Sequence, residues 1–359
     1  MTDHAASVQH RRSRFWLFAP TVILALAASG WTAAWFVIRD QTARALDEWL
    51  TREASLGRQW SCLNRSVGGF PFRIEVECAS LTLQRPDARV SLGAVSAVAQ
   101  VYRPRHIIAY VSGPLAATDG HITVTGNWRS LEASLRAAPE GLQRVSLVIE
   151  APTFGAKGIT PDEIAVGAAR VETHARPNPD RGPSQGAYDW SLQLVQAKIP
   201  PIDNLVGDAD PVDLDLRLTA TQVRDAAARP WPAELDRWRQ ADGRVEIARL
   251  SLVKGMRGIE AKGEIGLDEA HRLRGQFEAS AAGLDTLLAK MFGAPSGLAG
   301  ALLAGGTRQP PAAQQAPASP TQPQATKPAL KPLPPIRLEG GRLRLGPIAI
   351  PGIRLPPIY

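Results

Sequence analysis

Cysteine, histidine and aromatic residues are scarce in this 359-residue chain. It has two cysteines and six histidines, and aromatic residues make up only 6%. The histidines lie apart from one another, and none belongs to an H-E-x-x-H motif or a Cys/His cluster. A protein zinc site needs three or four such ligands at close spacing. We therefore expect no metal and no cofactor.

Nucleotide-binding signatures and basic nucleic-acid-binding runs are also missing. No P-loop occurs, and no G-x-G-x-x-G follows a predicted strand. The net charge is +7 and the pI is about 9.8, but the basic residues are scattered and are not interleaved with aromatics. We expect no nucleic-acid partner, while contact with acidic membrane surfaces stays open.

The N-terminal region contains one long uncharged stretch, residues 15–38. A helix needs about 20 apolar residues to cross a bilayer, so this stretch is long enough to serve as a transmembrane anchor. Tryptophans lie towards its two ends, where aromatic belts occur, and three arginines precede it: Trp16, Trp31, Trp35, Arg11, Arg12 and Arg14. The positive-inside bias predicts a bacterial inner-membrane protein with residues 1–14 in the cytoplasm and its main domain in the periplasm.

A cleaved signal peptide is the competing interpretation of this segment. The ALA at 25–27 resembles a cleavage site, although the apolar run continues well beyond it. Residues 39–57 follow with Leu46, Trp49 and Leu50 at helical spacing, which predicts an amphipathic helix. Its apolar stripe is expected to pack on the domain behind it, with membrane-surface binding as the alternative.

Beyond residue 57 the hydrophobic period changes to two. RIEVEC, VDLDLRLTA and many similar segments alternate apolar and polar residues and are separated by turn signals. This pattern predicts a mainly β fold: an elongated, twisted antiparallel sheet, groove-like or partly closed, with a few short helices. One face of such a sheet is apolar and needs a cover.

Composition divides the rest of the chain. Residues 58–304 are predicted to form the periplasmic β-rich domain, and 305–335 a Pro-rich disordered linker. Residues 336–359 resume strand patterning and are too short for a core of their own, so we expect them to rejoin the sheet.

The two cysteines, Cys62 and Cys78, flank the sequence GGFPFR. A hairpin with these cysteines opposite each other would place Arg65 across from Glu75 and leave 67–73 as the tip. This pairing predicts a structural disulfide, as found in oxidising compartments such as the periplasm. Two free thiols are the alternative.

The predicted tip comprises Gly68, Gly69, Phe70, Pro71 and Phe72. The glycines can adopt positive φ, and the proline favours a turn. We expect the two phenylalanines to fold back onto the sheet or the helix, with contact to lipid or a partner as the alternative.

A second candidate site is a small basic group in VYRPRHIIAY. Arg103, Arg105 and His106 form a candidate anion site for lipid headgroups. The alternative is an exposed turn at Pro104 between two strands.

Four segments together carry a family resemblance: WSCLNRSVGGFPFRIEVEC, VYRPRHIIAYVSGP, GEIGLDEAHRLRG and GGRLRLGPIAI. The chain resembles an uncharacterised family of alphaproteobacterial membrane-anchored proteins, a domain of unknown function with no assigned catalytic residues. More distantly it is similar to AsmA-like envelope proteins, which resemble bridge-like lipid carriers with a greasy β-groove.

These observations predict a non-enzymatic, membrane-anchored protein that binds or conducts a lipid or other hydrophobic envelope component. The alternative is a structural or assembly factor that contacts other envelope proteins through an edge strand or the linker. A hydrolase with a dispersed site is the third hypothesis.

Overall fold

The fold is seen in a computed structural model, which describes residues 15–181, 186–223, 231–283 and 330–359. The predicted cytoplasmic tail, 1–14, and linker residues 305–329 lie outside the described residues, as does a short helix that the sequence suggests at 284–293. The predicted fold class is confirmed, since the chain forms one long apolar helix and two large antiparallel sheets that are not closed.

Helix α1 (Phe15–Ser55) runs without interruption from the apolar stretch into the amphipathic segment. Residues 18–55 are long and apolar enough to cross a membrane, and only 6% of the most apolar window is buried. The polar end of α1 contacts the sheets, where the carboxylate of Asp47 accepts a hydrogen bond from Arg65 at 2.6 Å and the rings of Trp49 and Trp60 lie 5.8 Å apart. This contact fixes the direction in which the helix leaves the β-domain.

The smaller sheet has seven strands, each no longer than five residues. In spatial order these are β1 (Gln59–Leu63), β4 (Ser80–Gln84), β5 (Arg89–Leu92), β8 (Leu115–Thr118), β9 (Thr123–Asn127), β12 (Thr153–Lys157) and β13 (Ile164–Gly167).

The larger sheet has 16 strands, and its middle strands are the longest. From one edge it begins β2 (Ser66–Gly68), β3 (Arg73–Cys78), β6 (Val95–Gln100), β7 (Arg103–Val111), β10 (Ser130–Ala138), β11 (Gly141–Glu150) and β14 (Arg170–Pro177). It continues with β15 (Tyr188–Ala197), β16 (Val212–Ala220), β17 (Val245–Lys254), β18 (Arg257–Leu267), β19 (Leu273–Ala282), β21 (Ile336–Glu339), β22 (Arg342–Leu345) and β23 (Ile348–Arg354). The two-residue strand β20 (Lys331–Pro332) also pairs with β19.

The chain passes repeatedly between the two sheets. Only Ala79 separates β3 of the larger sheet from β4 of the smaller one, and residues 151–152 separate β11 from β12. Pro152, at that second crossing, is almost fully buried. Such short connections keep the strand ends of the two sheets close together. The sheets therefore meet along a shared corner, which runs past the ends of the strands from β3 to β14.

In the described part of the chain, two short helices connect the later strands. Helix α2 (Pro200–Val206) joins β15 to β16, and α3 (Trp231–Gln240) lies between β16 and β17. The Trp238 indole of α3 donates to the Thr221 carbonyl at 2.7 Å, which holds α3 at the end of β16.

The disulfide between Cys62 and Cys78 is present, with the two Cα atoms 5.2 Å apart. The predicted hairpin register, however, is wrong. Cys62 pairs across the backbone with Leu81 in the smaller sheet, and Cys78 pairs with Val95 in the larger one. The bond therefore joins the two sheets to each other.

The register error has a local cause. Asn64 adopts a positive φ of 51°, which ends β1 and directs the chain into β2 of the other sheet. In the hairpin that does form, Ser66 faces Glu77 and Val67 faces Val76. The predicted Arg65 partner of Glu75 contacts Asp47 on α1 instead, as described above.

A buried ion pair holds α2 to the larger sheet. The Lys254 side chain is 3% exposed, and its Nζ lies 2.6 Å from the Asp203 carboxylate. Lys254 also donates to the carbonyl of Asp210, and the neighbouring Arg257 contacts Asp208. A buried charge with several hydrogen-bond partners is costly to leave unpaired.

Reducing the disulfide is expected to lower the free energy of unfolding by about 3 kcal/mol, because a loop of this length is then free in the unfolded chain. Urea unfolding with and without reductant measures this loss. The Cys62→Ser/Cys78→Ser variant serves as control, since reductant should leave its stability unchanged. Two titratable thiols in the unreduced, denatured protein would contradict the assignment.

Lys254→Ala is expected to lower the free energy of unfolding by about 3 kcal/mol, because it leaves the Asp203 carboxylate, which is only 19% exposed, without its cation. The double variant Lys254→Met/Asp203→Asn removes both charges and should lose clearly less. Equal losses in the single and double variants, measured by urea unfolding, would show that the ion pair does not carry the effect.

Candidate functional site

The larger sheet has one continuous apolar face. Residues that pair across successive strands form three rows, and nearly every member is apolar. The row nearest the corner reads Cys78, Val95, Val111, Leu131, Ile149, Val171, Leu194, Leu214, Leu252, Ile259 and Ala281. The middle row reads Val76, Ala97, Ala109, Ala133, Leu147, Thr173, Leu192, Leu216, Leu250, Ala261 and Ala279.

The third row lies farthest from the smaller sheet. It reads Ile74, Ala99, Ile107, Leu135, Val145, Ala175, Trp190, Leu218, Ile247, Gly263, Phe277 and Ile336. Since adjacent strands lie about 4.8 Å apart, each row extends about 50 Å across the sheet.

The smaller sheet has a matching apolar face of two rows. One row comprises Cys62, Leu81, Leu92, Leu115, Gly126, Phe154 and Val166, and the other Trp60, Leu83, Val90, Ala117, Val124, Ala156 and Ile164. The disulfide joins Cys62 of this face to Cys78 of the larger face. The two apolar faces therefore lie on the same side of the shared corner.

These rows are only partly covered. Among the row residues of the larger sheet, Ile74, Ile149, Ala279 and Ala281 are the buried side chains, and most others are half-buried. The third row is the most open: Ile107 is 38%, Leu135 40% and Trp190 41% exposed. A packed core would bury such residues almost fully, so this face is available to an apolar ligand.

The polar side chain within the rows, Thr173, is satisfied by neighbouring groups. The Trp190 indole donates to the Thr173 hydroxyl at 2.5 Å, and that hydroxyl donates to the Ser191 carbonyl at 3.0 Å. The face therefore stays apolar at this position, because neither polar group needs a further partner.

The tip of the β2–β3 hairpin packs against α1. The indole of Trp31 donates to the Pro71 carbonyl at 2.8 Å, and that of Trp35 to the Arg73 carbonyl at 2.9 Å. The ring of Phe70 lies edge-on to Trp35 with centroids 5.3 Å apart, and the ring of Phe72 lies 6.1 Å from that of Trp31. Gly69 has a φ of +99°, and a side chain there would collide with the backbone of Arg73.

This contact places the tip against the apolar part of α1. The two phenylalanine rings of the tip nevertheless stay exposed to solvent. Phe70 is 53% exposed and Phe72 is 61% exposed, while Trp35 beneath them is 4% exposed. The tip residues Gly68 and Pro71 are half-buried. The tip thus presents two open aromatic rings beside a helix that is long enough to span a bilayer.

The predicted basic group lies at the same end of the sheet. Arg103, Arg105 and His106 line a concavity of about 540 Å³, together with Tyr102 and Arg136. The contribution of Arg136 could not be foreseen from the sequence, because it depends on the pairing of Arg136 with His106 across β10 and β7. The His106 ring hydrogen-bonds the Ser134 hydroxyl at 3.1 Å.

The opposite face of the larger sheet is polar and holds a Ser–His–Glu chain. The His174 ring lies 2.8 Å from the Ser146 hydroxyl and 2.6 Å from the Glu172 carboxylate. These side chains sit on β11 and β14, where backbone N–H groups are engaged in ladder pairing. An oxyanion hole needs free N–H donors near the nucleophile, so the arrangement here is that of a cross-strand polar network.

Two hydrolase-like spacings occur in the sequence, GPSQG at 182–186 and S-x-x-K at 251–254. GPSQG comes between β14 and β15 in chain order. Its Ser184 lies outside the described residues. The S-x-x-K of Ser251 and Lys254 lies within β17, where residues three apart point to opposite faces, and Lys254 is held by Asp203.

The described ranges contain no group of three or more His, Cys, Asp or Glu residues that could hold a metal ion. Asp213 and Asp215, two apart on β16, have separate partners. Asp213 accepts from the Gln196 backbone N–H at 2.7 Å, and Asp215 contacts Arg217 at 3.3 Å. These carboxylates therefore belong to the polar face of the sheet.

The polar network predicts an acid-dependent loss of stability. The hydrogen bond from His174 holds the pKa of Glu172 below its ordinary value of 4.5, and Arg170 adds to this effect. Because the folded-state pKa is depressed, this stabilisation is complete above the unfolded pKa and is lost as the pH falls through the folded pKa.

His174→Ala should therefore flatten the fall in urea midpoint as the pH drops below about 4.5. His106→Ala is the matched control, because His106 bonds a cross-strand serine but no carboxylate. Parallel pH profiles for wild type and His174→Ala would contradict the role of this hydrogen bond.

Comparison with known proteins gives one match. Searches of curated proteins and of solved structures found none. A family model described as an uncharacterised protein conserved in bacteria, DUF2125, matches residues 35–353, which include the tip, both sheets and the C-terminal strands. The chain therefore belongs to the DUF2125 family of bacterial proteins.

Proposed function

We propose that this protein is a non-enzymatic, inner-membrane-anchored periplasmic protein that binds or conducts a lipid or another hydrophobic envelope component along its apolar face. The observation that carries the proposal is the set of nearly all-apolar rows, most of whose members stay half-buried or exposed over about 50 Å. A soluble protein pays a free-energy cost for such a surface unless a ligand covers it.

The energetics of an acyl chain suit this surface. Each methylene that leaves water for an apolar surface contributes about 0.8 kcal/mol. An acyl chain that moves from a bilayer to the rows is shielded from water in both places, so the free energy of transfer is close to zero. The half-covered rows therefore favour reversible exchange of lipid with the bilayer over permanent binding.

The location is argued from two features. The apolar helix and the disulfide are those of a secreted or membrane-anchored protein. The apolar run continues well beyond the ALA at 25–27, which favours a retained helix over a cleaved one, and the hairpin tip holds the later part of this helix through Trp31 and Trp35. The arginines before the helix favour a cytoplasmic N-terminus.

The AsmA-like resemblance supports the same function at the level of fold analogy. Those envelope proteins resemble lipid carriers with an anchor followed by repeated β-hairpins, and this chain has both features. Analogy of fold alone does not establish function, so the proposal rests on the apolar rows.

The alternative is an assembly factor that pairs its open sheet edges with another envelope protein. Strands β13 and β23 end their sheets in the described part of the chain, and an edge strand can accept a partner strand. A stable protein partner in membrane crosslinking, together with no co-purifying lipid, would favour this alternative.

The lipid proposal predicts that Ile107→Gln/Leu135→Gln lowers the lipid retained by the purified full-length protein. Each substitution removes roughly half the value of burying a large apolar side chain, about 1 kcal/mol or roughly fivefold in affinity. Lipid extraction followed by mass spectrometry measures the retained amount.

Tyr110→Gln provides the matched control. Tyr110 lies on β7 like Ile107 and is similarly exposed, at 48% against 38%, but it lies on the polar face. The control also accounts for lipid held by the anchor helix. Equal lipid in the double variant, the control and the wild type would rule out the apolar face as the binding surface.

A further inference from the structure

The end of the larger sheet that carries the hairpin tip also carries the β6–β7 turn. The Val101 backbone N–H donates to the Phe72 carbonyl at 3.0 Å, so turn and tip are held together. Tyr102, next along the turn, is 61% exposed, as open as the rings of Phe70 and Phe72 in the tip. Exposed aromatic rings at the end of a membrane-spanning helix are typical of the bilayer interface.

Positive charge accumulates at the same end. Arg103, Arg105 and Arg136 line the concavity, and none of them has a carboxylate partner among the described residues. By contrast, Arg73 at the start of β3 contacts Glu75 at 3.1 Å. Several guanidinium groups around one hollow can bind a phosphate through paired N–H donors.

The basic hollow adjoins the start of the apolar rows. Strand alternation places Arg105 on the same face as Ile107 and Ala109, which belong to the third and middle rows. Arg136, which pairs with His106, lines the hollow from the opposite face. A molecule with an anionic headgroup in the hollow would therefore have its hydrocarbon chains directed along the rows.

We infer that the hollow formed by Arg103, Arg105 and Arg136, together with the exposed rings of Phe70, Phe72 and Tyr102, binds the phosphate headgroup of an anionic phospholipid at the surface of the bilayer that α1 spans. This inference rests on the proposed function and assigns it a loading site. The hollow selects the headgroup, and the rows receive the chains.

The test uses the full-length protein in nanodiscs that contain phosphatidylcholine and phosphatidylglycerol. Native mass spectrometry measures the enrichment of phosphatidylglycerol over phosphatidylcholine among the lipids that the protein retains. The wild type should enrich phosphatidylglycerol. Each arginine replaced by glutamine should reduce the enrichment by roughly fivefold, so Arg103→Gln/Arg105→Gln/Arg136→Gln should abolish it.

The matched control replaces three arginines at the far end of the same sheet. Arg337, Arg342 and Arg354 also lack a carboxylate partner among the described residues, and their triple glutamine variant removes the same charge. Its enrichment should equal that of the wild type. Equal loss in both triple variants would show an effect of net charge alone and overturn the inference.

Hydrogen exchange gives a second measurement that is local to the site. The backbone at 69–72 and 101–105 should exchange more slowly in discs with phosphatidylglycerol than in discs of phosphatidylcholine alone. Inorganic phosphate added to the neutral discs should give no such protection. Equal protection by inorganic phosphate would identify a site for a soluble anion and overturn the lipid assignment.

The headgroup site and the lipid-binding apolar face can be disproved independently of each other. Unchanged total lipid with no headgroup preference in the wild type would overturn the headgroup site and leave the lipid-binding face standing. Loss of all retained lipid in the Ile107/Leu135 variant, with headgroup preference intact in the wild type, supports both. If the triple variant does not fold, Arg105→Gln alone, on an exposed position of β7 and on the face of Ile107, provides the comparison.

Discussion

The architecture depends on one constraint, which is that two sheets with continuous apolar faces must keep those faces away from bulk water. Apolar residues pair with apolar residues on each neighbouring strand, and these pairs form the rows. The third row extends from Ile74 beside the helix to Ile336 in the C-terminal strands. Turning the two faces toward the same side of a shared corner covers each of them in part. The cover is incomplete in the third row, where Trp190 and Leu135 remain exposed, and the proposed ligand completes it.

The corner and the contact with α1 make this arrangement rigid at the end that lies against the helix. The Cys62–Cys78 bond ties the first strand of the smaller sheet to the larger sheet, close to the hairpin whose tip contacts α1. Trp35 is buried by that contact although it lies in the apolar helix. The sheet is thereby held at a fixed place on the helix, which brings the basic hollow and the open aromatic rings to the same end of the molecule.

Local sequence patterns predicted the strands and the long helix correctly. They did not predict which strands pair with each other. Alternation in segments such as VDLDLRLTA identified strands, and a run without charge identified the helix. The hairpin register was wrong because Asn64 takes a left-handed conformation and transfers the chain to a second sheet. Nothing in the alternation of Trp60, Cys62 and Ile74 reveals that they belong to two sheets. The basic site was likewise found only in part, since Arg136 reaches it through cross-strand pairing with His106.

The sequence by itself determined that this is a mainly β protein with an N-terminal apolar helix and a pair of cysteines close enough in the chain to bridge. These features follow from hydrophobic period, length and spacing, which are local properties. The tertiary structure decided that the chain builds two sheets with apolar faces on the same side of a corner, that the disulfide joins them, and that the aromatic tip and the arginines lie at the same end of the larger sheet. Those outcomes depend on which strands pair over long sequence distances, and pairing is set by the joint burial of many side chains rather than by any single segment.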